Sequence, residues 1–207
     1  DPVADGETIQ QSNQVSLDQG MTVTHLFVQL KNMRQSISVP VLLMGYINPV
    51  LQFGVERFCQ KCQEVGVDGL ILPDLPLAEY QLSYQSIFEQ YGLLNIFLIT
   101  PQTSDERIKQ IDAISEGFIY MVSSASTTGA KTGISSDQEA YFKRIDNMNL
   151  KNPRLVVFGI ADRESFLKAS NRASGAIIGS AFVKLLGNAK NLREEIVGFV
   201  KSIKGLK

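Results

Sequence analysis

The sequence contains no tryptophan, one histidine and two cysteines among its 207 residues. His25 lies beside the apolar stripe of a predicted helix, so we interpret it as structural and exclude Ser-His and Cys-His chemistry. Cys59 and Cys62 form a C-x-x-C pair, which suggests a redox pair or half of a zinc site. Since no second Cys or His pair completes such a site, we predict that both cysteines are core residues on the apolar side of a helix.

Strong net charge and long apolar runs are also missing. A net charge of −1 provides no basic field for nucleic acid or an anionic membrane. The longest apolar runs are strand-sized, far below the ~20 residues of a membrane helix, and no charged-then-apolar signal opens the chain. With 44% apolar residues, the composition predicts one globular domain over residues 1–207, in the cytoplasm, with no metal site.

Six segments are continuously apolar, which is typical of parallel strands covered on both faces. They span residues 39–46, 67–74, 95–100, 118–123, 154–159 and 175–180. Amphipathic helices lie between them, one ending at Gly66 and a last one starting near Leu192. Thr103-x-x-Glu106 has capping-box spacing and predicts another helix start. The fold class is therefore α/β, either an open doubly wound sheet or a (β/α)8 barrel.

The strand ends favour the barrel. No G-x-G-x-x-G follows a strand, which argues against a nucleotide-binding open sheet. Polar and glycine-rich clusters instead follow the carboxyl ends, where a TIM barrel has its active site: GYINP, PDLP, SSASTTGAKTG, FGIADR and GSAF. A barrel needs eight strands and six are visible, with two helices before the first, so we expect an incomplete (β/α)8 barrel whose first two strand–helix units lie upstream of residue 1.

The last two strand ends are candidates for phosphate binding. In many barrels these positions hold a phosphate with backbone N–H groups and a helix N-terminus. Gly179 permits close backbone approach, and Ser180 is expected to offer its hydroxyl and cap a helix that starts at Ala181. The alternative is a well-capped helix start without a ligand.

Other candidates for chemistry are few. The long, small and polar segment 123–137 is either a functional lid or an unstructured surface loop. For acid–base work the sequence offers Asp5 and Asp74 at strand ends and Tyr120 on a buried strand. Asp1 and Asp5 are alternatively charges that balance a helix dipole.

The motifs DPVADGETIQ, LLMGYINPV, GVDGLILPDLP, GFIYMVSSASTTGAKTG, FGIADRESF and GAIIGSAFVK occur in this order. With them the chain resembles the tryptophan synthase α-subunit family over its whole length. The resemblance implies a (β/α)8 barrel that cleaves indole-3-glycerol phosphate, by a retro-aldol reaction, to indole and glyceraldehyde 3-phosphate. It also implies a β-subunit partner in an α2β2 tetramer, in which the β subunit uses pyridoxal phosphate to join indole to serine. This chain itself is expected to hold no cofactor.

The resemblance assigns roles residue by residue. Asp5 matches the catalytic aspartate, which in its ionised form accepts a hydrogen bond from the indole N–H and favours the indolenine tautomer. Thr128 matches a lid threonine that meets this aspartate, and Tyr120 matches a tyrosine lining the pocket. The phosphate-holding positions are Gly129, Phe158, Gly159, Gly179 and Ser180. The positions facing or near the β subunit are Asp1, Pro2, Asn48, Asp74 and Pro76.

The chain also departs from the family pattern. The family's second catalytic carboxylate is a glutamate in a segment like E-L-G-x-P-x-S just before D-P, and the sequence begins at Asp1 without it. We therefore expect a fragment that is poorly stable and catalytically weak on its own. Val157 and Ala161 stand where the family usually shows Gly and Ser, so an extra branched side chain lies beside the phosphate loop. ASTTGA replaces the commoner x-G-V-T-G-A while keeping the Thr and Gly.

Two other hypotheses remain open at the level of the sequence. The chain is alternatively another phosphate-binding barrel enzyme, such as an isomerase of sugar-phosphate-like substrates. It is alternatively a weakly catalytic or non-catalytic barrel that only activates a β subunit.

Overall fold

The computed structural model describes residues 5–123, 136–157 and 159–206. These residues form two compact units. The first contains residues 13–97 and 114–117. The second contains residues 5–12, 98–113, 118–123, 136–157 and 159–206. A single domain over 1–207 stays a prediction.

The first unit is built on a parallel three-stranded sheet. Its strands, in spatial order, are β1 Leu42–Met44, β2 Gly69–Ile71 and β3 Leu94–Ile96. The helices in this part of the chain are α1 Glu7–Asp18 (which begins in the second unit), α2 Val23–Leu30, α3 Ile47–Phe53, α4 Val55–Val65, α5 Leu77–Glu79 and α6 Gln85–Gln90. A 3₁₀ turn covers Met33–Gln35 and a π-helical turn covers Tyr80–Tyr84.

The second unit is built on a parallel four-stranded sheet. Its strands, in spatial order, are β4 Leu98–Ile99, β5 Ile119–Val122, β6 Arg154–Val157 and β7 Gly175–Ile177. The later helices are α7 Asp105–Ile114, α8 Ser136–Asn147, α9 Arg163–Ser170, α10 Ser180–Asn188 and α11 Leu192–Lys204.

Apolar packing follows the predicted periodicity. On α4 the side chains of Phe58, Cys59 and Cys62 are all buried, as their spacing on one helix face predicts. The helix ends where Gly66 adopts a left-handed conformation with φ of 82°, and its N–H donates to the carbonyl of Cys62. Burying a large apolar side chain stabilises the fold by about 1.5–3 kcal/mol. The buried side chains of α4 therefore stabilise its packing against the rest of the first unit.

A strand occurs in each of the six predicted segments, which confirms their positions, but each strand is shorter than its apolar segment. The third segment contains two strands, because β3 and β4 lie on either side of Phe97 and pair in different sheets. The predicted cap at Thr103 is wrong. The hydroxyl of Ser104 accepts the N–H of Arg107, while Thr103 Oγ1 accepts the N–H of Thr100 and closes the preceding turn.

None of the helices in the described ranges combines the length and the apolarity needed to cross a membrane.

Candidate active site

Tyr120 lies in the middle of the sheet of the second unit. Its backbone is in register with Leu98 of β4 and with Leu155 of β6, and its side chain is 7% exposed. Burial, with a smaller contribution from the charge of Asp5, raises the pKa of Tyr120 to about 12. The phenol is therefore neutral at physiological pH, and the Asp5 carboxylate lies near enough to act on it.

Asp5 is half-buried and stands just before α1. Gln10 Nε2 donates to the backbone oxygen of Asp5 at 2.7 Å, and the carbonyl of Gly6 accepts the N–H groups of Ile9 and Gln10. These bonds tie Asp5 to the first turn of the helix. The structure thus brings together the predicted catalytic carboxylate and the predicted pocket tyrosine.

The ends of β6 and β7 are in register. Val157 pairs with Ile177, so Gly159 and Gly179 each follow the paired residue by two positions. Gly159 has φ of 73°, a conformation that favours glycine. At both glycines an added Cβ would meet no atom of the described residues within 4 Å. A ligand approaching this edge of the sheet would find two exposed backbone segments side by side.

The turn after β7 starts α10 one residue earlier than predicted. Gly179 is the N-cap, with its carbonyl accepting the N–H groups of Phe182 and Val183 at 2.9 and 3.1 Å. Ser180 is the first helical residue, and no side chain caps this helix, so the prediction that Ser180 caps it is wrong. The first N–H groups of a helix lack intrahelical acceptors, and the helix dipole is positive there. The start of α10 is therefore suited to an anion.

The loop after β6 is held by a reciprocal cap on α9. The Asp162 carboxylate accepts the N–H of Ser165 at 2.8 Å, and Ser165 Oγ in turn accepts the N–H groups of Ala161 and Asp162. The Ser165 amide is the main reason that the pKa of Asp162 is lowered. Val157 stands where the resemblance leads us to expect glycine. It is buried, with 6% of its surface exposed.

Ser123 is a contributor to this region that the sequence analysis missed. It follows β5, is 4% exposed, and its Oγ donates to the carbonyl oxygen of Val157 at 2.9 Å. The two residues are 34 positions apart, so no local pattern signals their contact.

The predicted partner-facing residues that are described lie in the first unit. Asn48, Asp74 and Pro76 are all exposed. The Asp74 carboxylate accepts the N–H of Ile47 at 2.9 Å, which ties the loop after β2 to the start of α3. Pro76 is the N-cap of α5. Asn48 directly follows Ile47, so one hydrogen bond brings the two predicted partner loops together.

Five predicted site residues lie outside the described ranges, and their roles stay predictions. They are Asp1, Pro2, Thr128, Gly129 and Phe158.

The remaining candidates do not form a second chemical site. Cys59 and Cys62 are buried and unbonded to each other, and burial raises the pKa of each to about 12, which confirms them as core residues. His25 is exposed, with Nδ1 2.9 Å from the carbonyl oxygen of Gly20. Among the described residues no group of three His, Cys, Asp or Glu side chains is placed to hold a metal ion.

The first unit also contains an apolar cavity of about 150 Å³, lined by residues of α2, β1, α3, α4 and β2. Its lining includes none of the predicted site residues and no carboxylate. Tyr46 contributes the titratable group of this lining.

Comparison with known proteins gives a consistent result. A family model described as tryptophan synthase alpha chain matches residues 1–206. The tryptophan synthase alpha chain of Christiangramia forsetii is 57% identical over 206 residues, covering 100% of this chain and 80% of the relative. That of Flavobacterium johnsoniae is 57% identical over 202 residues, covering 97% of this chain and 80% of the relative.

Solved structures agree. The tryptophan synthase A-subunit of Pyrococcus furiosus matches with a TM-score of 0.88 at 33% identity, over 100% of this chain and 83% of that one. A chain of the tryptophan synthase complex of Pyrococcus furiosus matches with a TM-score of 0.86 at 32% identity, over 100% and 82%. These matches and the parallel strand–helix repeat give the fold class as (β/α)8 barrel.

Proposed function

The chain belongs to the tryptophan synthase alpha chain family, a lyase of tryptophan biosynthesis, and we propose that Asp5 is the catalytic carboxylate with which it cleaves indole-3-glycerol phosphate. The products are indole and glyceraldehyde 3-phosphate. The observation behind this assignment is that the charge of Asp5 contributes to the raised pKa of the buried Tyr120.

The reaction breaks the bond between C3 of the indole ring and the first carbon of the glycerol chain. C3 takes up a proton, which gives the indolenine form, and the hydroxyl on the departing carbon gives up its proton as that carbon becomes an aldehyde. The step is therefore a net transfer of one proton from that hydroxyl to C3, and by the resemblance the family's glutamate in the segment before D-P carries it. The ionised Asp5 accepts a hydrogen bond from the ring N–H and stabilises the positive charge that develops on this nitrogen. When the bond breaks, its electron pair returns to the ring and indole is released.

Tyr120 supports this role in two ways. Because the phenol stays neutral up to about pH 12, it adds no negative charge beside Asp5. A buried aromatic ring also provides apolar surface for the flat indole. In this proposal the ring nitrogen of the substrate faces the Asp5 carboxylate and the indole ring lies against Tyr120.

The phosphate of the substrate is assigned to the ends of β6 and β7. Gly159 and Gly179 follow paired residues of β6 and β7 and have no described atom where a side chain would stand, and the start of α10 offers backbone N–H groups and the Ser180 hydroxyl. By the resemblance we add Thr128, Gly129 and Phe158 to the residues that hold the substrate.

The family also acts in a complex, since a matched chain belongs to a tryptophan synthase complex. We assign the partner surface to the loops with Asn48, Asp74 and Pro76, together with Asp1 and Pro2. The partner would be a β subunit with pyridoxal phosphate, in an α2β2 tetramer in the cytoplasm. No cofactor is required in this chain, because the cleavage needs only proton transfers.

The test is the release of indole from indole-3-glycerol phosphate by an Asp5→Asn variant of the full-length protein, since we expect residues 1–207 alone to be catalytically weak. We expect kcat to fall roughly 10²–10⁴-fold, since an amide cannot provide the negative charge. Asp18→Asn is the matched control, because Asp18 is an exposed carboxylate at the end of α1 that accepts from Gln14. If Asp5→Asn retains the rate of the unaltered chain, Asp5 is not the catalytic group.

A further inference from the structure

The face of the four-stranded sheet that carries the Tyr120 side chain contains two rows of residues. Paired residues of neighbouring parallel strands direct their side chains to the same face, and so do residues two apart along one strand. A Cβ added at Gly175 would lie 3.0 Å from Leu155 Cδ2, which agrees with this rule. The first row is Leu98, Tyr120, Leu155 and Gly175, and the second row is Val122, Val157 and Ile177.

The second row lies nearer the carboxyl ends of the strands, about 7 Å beyond the first row. Gly159 and Gly179, to which the phosphate is assigned, follow Val157 and Ile177 by two positions each. A substrate with its indole ring against Tyr120 and its phosphate at these glycines therefore has its connecting carbon chain beside the second row. The inference that follows rests on this proposed function.

Val157 is the centre of the second row and has little freedom to move. Val122 and Ile177 flank it, and 6% of its surface is exposed. Its carbonyl oxygen accepts two hydrogen bonds from Ser123, one from the N–H at 3.2 Å and one from Oγ at 2.9 Å, which hold its backbone. A branched Cβ restricts rotation about χ1 as well. The two methyl groups of Val157 are therefore a fixed obstacle on this face.

We propose that Val157 is a specificity-determining residue, which limits the width of the carbon chain that joins the aromatic ring of the substrate to its phosphate. Close-packed side chains yield little to an added methyl group, and overpacking them is costly. Aryl-alkyl phosphates with an unbranched chain are therefore accepted, and those with a carbon branch beside Val157 are discriminated against.

The first experiment measures, by calorimetric titration, the affinity of the full-length protein for two ligands. One is an indole whose C3 carries an unbranched three-carbon chain ending in phosphate, and the other has a methyl branch on the central carbon of that chain. Neither has the hydroxyl whose proton moves in the cleavage, so both stay intact. We expect the branched ligand to bind the unaltered protein about tenfold more weakly, and Val157→Ala to bind both within about twofold. An unchanged ratio of affinities in Val157→Ala overturns the proposal.

Val156→Ala is the matched control. Val156 precedes Val157 on β6, is 1% exposed, and pairs with Met121 and Ala176, so its side chain points to the opposite face of the sheet. Both variants remove the same atoms from a buried position and should lower the free energy of unfolding. Val156→Ala should nevertheless keep the ratio of affinities of the unaltered protein. An equal change of the ratio in both variants would show a general loosening of the sheet and overturn the proposal.

Val157→Ile keeps the proposal testable if Val157→Ala does not fold. The added methylene group narrows this face further, so the ratio of affinities should rise and the unbranched ligand should also bind more weakly. An unchanged ratio in Val157→Ile contradicts the proposed role.

The two ligands also separate this inference from the function on which it rests. If the unaltered protein binds neither ligand, the assigned ring and phosphate sites are wrong, and the role of Val157 is wrong with them. If it binds both with equal affinity, the sites stand and only the role of Val157 is wrong.

Discussion

At the scale of single residues, Gly159 combines a backbone constraint with a place in the site. Its φ of 73° disfavours any residue with a Cβ, and a Cβ there would meet no described atom within 4 Å at the end of β6. Gly159→Ala should therefore destabilise the fold by about 1–2 kcal/mol and also raise KM for the phosphorylated substrate. Denaturant unfolding and indole release measure the two effects.

Gly198→Ala is the control for this prediction. Gly198 lies inside α11, and an added Cβ meets nothing within 4 Å. Alanine there should be neutral or stabilise by about 0.5–1 kcal/mol. If Gly159→Ala behaves as mildly as Gly198→Ala in both assays, the backbone at Gly159 constrains neither folding nor binding.

Single residues also mark the limit of what the sequence predicts about the site. Asp5, Tyr120, Gly159 and Gly179 stand in short local motifs, so the sequence alone marks them as candidate site residues. The contact of Ser123 with Val157 joins residues 34 positions apart, and many serines in the chain have equal local signals. Such pairings depend on which strands become neighbours, and a single sequence does not state that.

At the scale of elements, Asp112 joins α7 to the loop that leads into β6. Its carboxylate accepts the N–H groups of Lys151 and Asn152 at 2.9 and 3.0 Å, and the side-chain amide of Asn152 at 2.9 Å. Burial alone would raise the pKa of Asp112, but these hydrogen bonds outweigh it and lower that pKa below 3.8. Asp112 thus fixes the entry of the strand that ends beside Gly159.

Asp112→Ala should lower the free energy of unfolding by about 1–3 kcal/mol at pH 7. Because the folded pKa is lower than the unfolded one, this contribution is complete above the unfolded pKa and is lost as pH falls through the folded pKa. Denaturant unfolding at pH 7 and at pH 3 should therefore show a smaller difference from the unaltered chain at pH 3.

Glu164→Ala provides the comparison for Asp112→Ala. The Glu164 side chain is 77% exposed and pairs with Lys168 one helical turn away. An exposed pair of this kind contributes about 0.5 kcal/mol or less. A loss in Asp112→Ala no larger than in Glu164→Ala would mean that the bonds to Lys151 and Asn152 do not stabilise the fold.

Element positions followed from periodicity, while their ends did not. Continuous apolar runs gave all six strand positions, since parallel strands are covered on both faces. The division of the third segment at Phe97 was not visible, because apolar residues continue through it. Likewise Thr103 and Ser104 are adjacent hydroxyl residues, and the backbone turn at Thr100 decides which one caps α7.

At the scale of the whole molecule, the proposed partner surface depends on the Asp74 carboxylate. It accepts the N–H of Ile47, the first residue of α3, and so holds the start of the helix that includes Asn48. Asp74→Ala should free this helix start, and the β subunit would then have to order it on binding. We expect the affinity for a purified β subunit to fall about tenfold, as measured by calorimetric titration.

Glu64→Ala is suited as the control for the partner surface. Glu64 is an exposed carboxylate on α4 that pairs with Lys61. Its removal should leave the affinity unaltered. Equal affinities of Asp74→Ala and Glu64→Ala would remove the Asp74 loop from the interface.

The buried thiols of α4 have a practical consequence. With a pKa of about 12 and 0% exposure, Cys59 and Cys62 present neither thiolate nor accessible sulfur in the native state. An alkylating reagent reaches them only in molecules whose α4 has opened. The rate of alkylation under native conditions therefore measures how often α4 opens, and the measurement does not depend on catalytic activity.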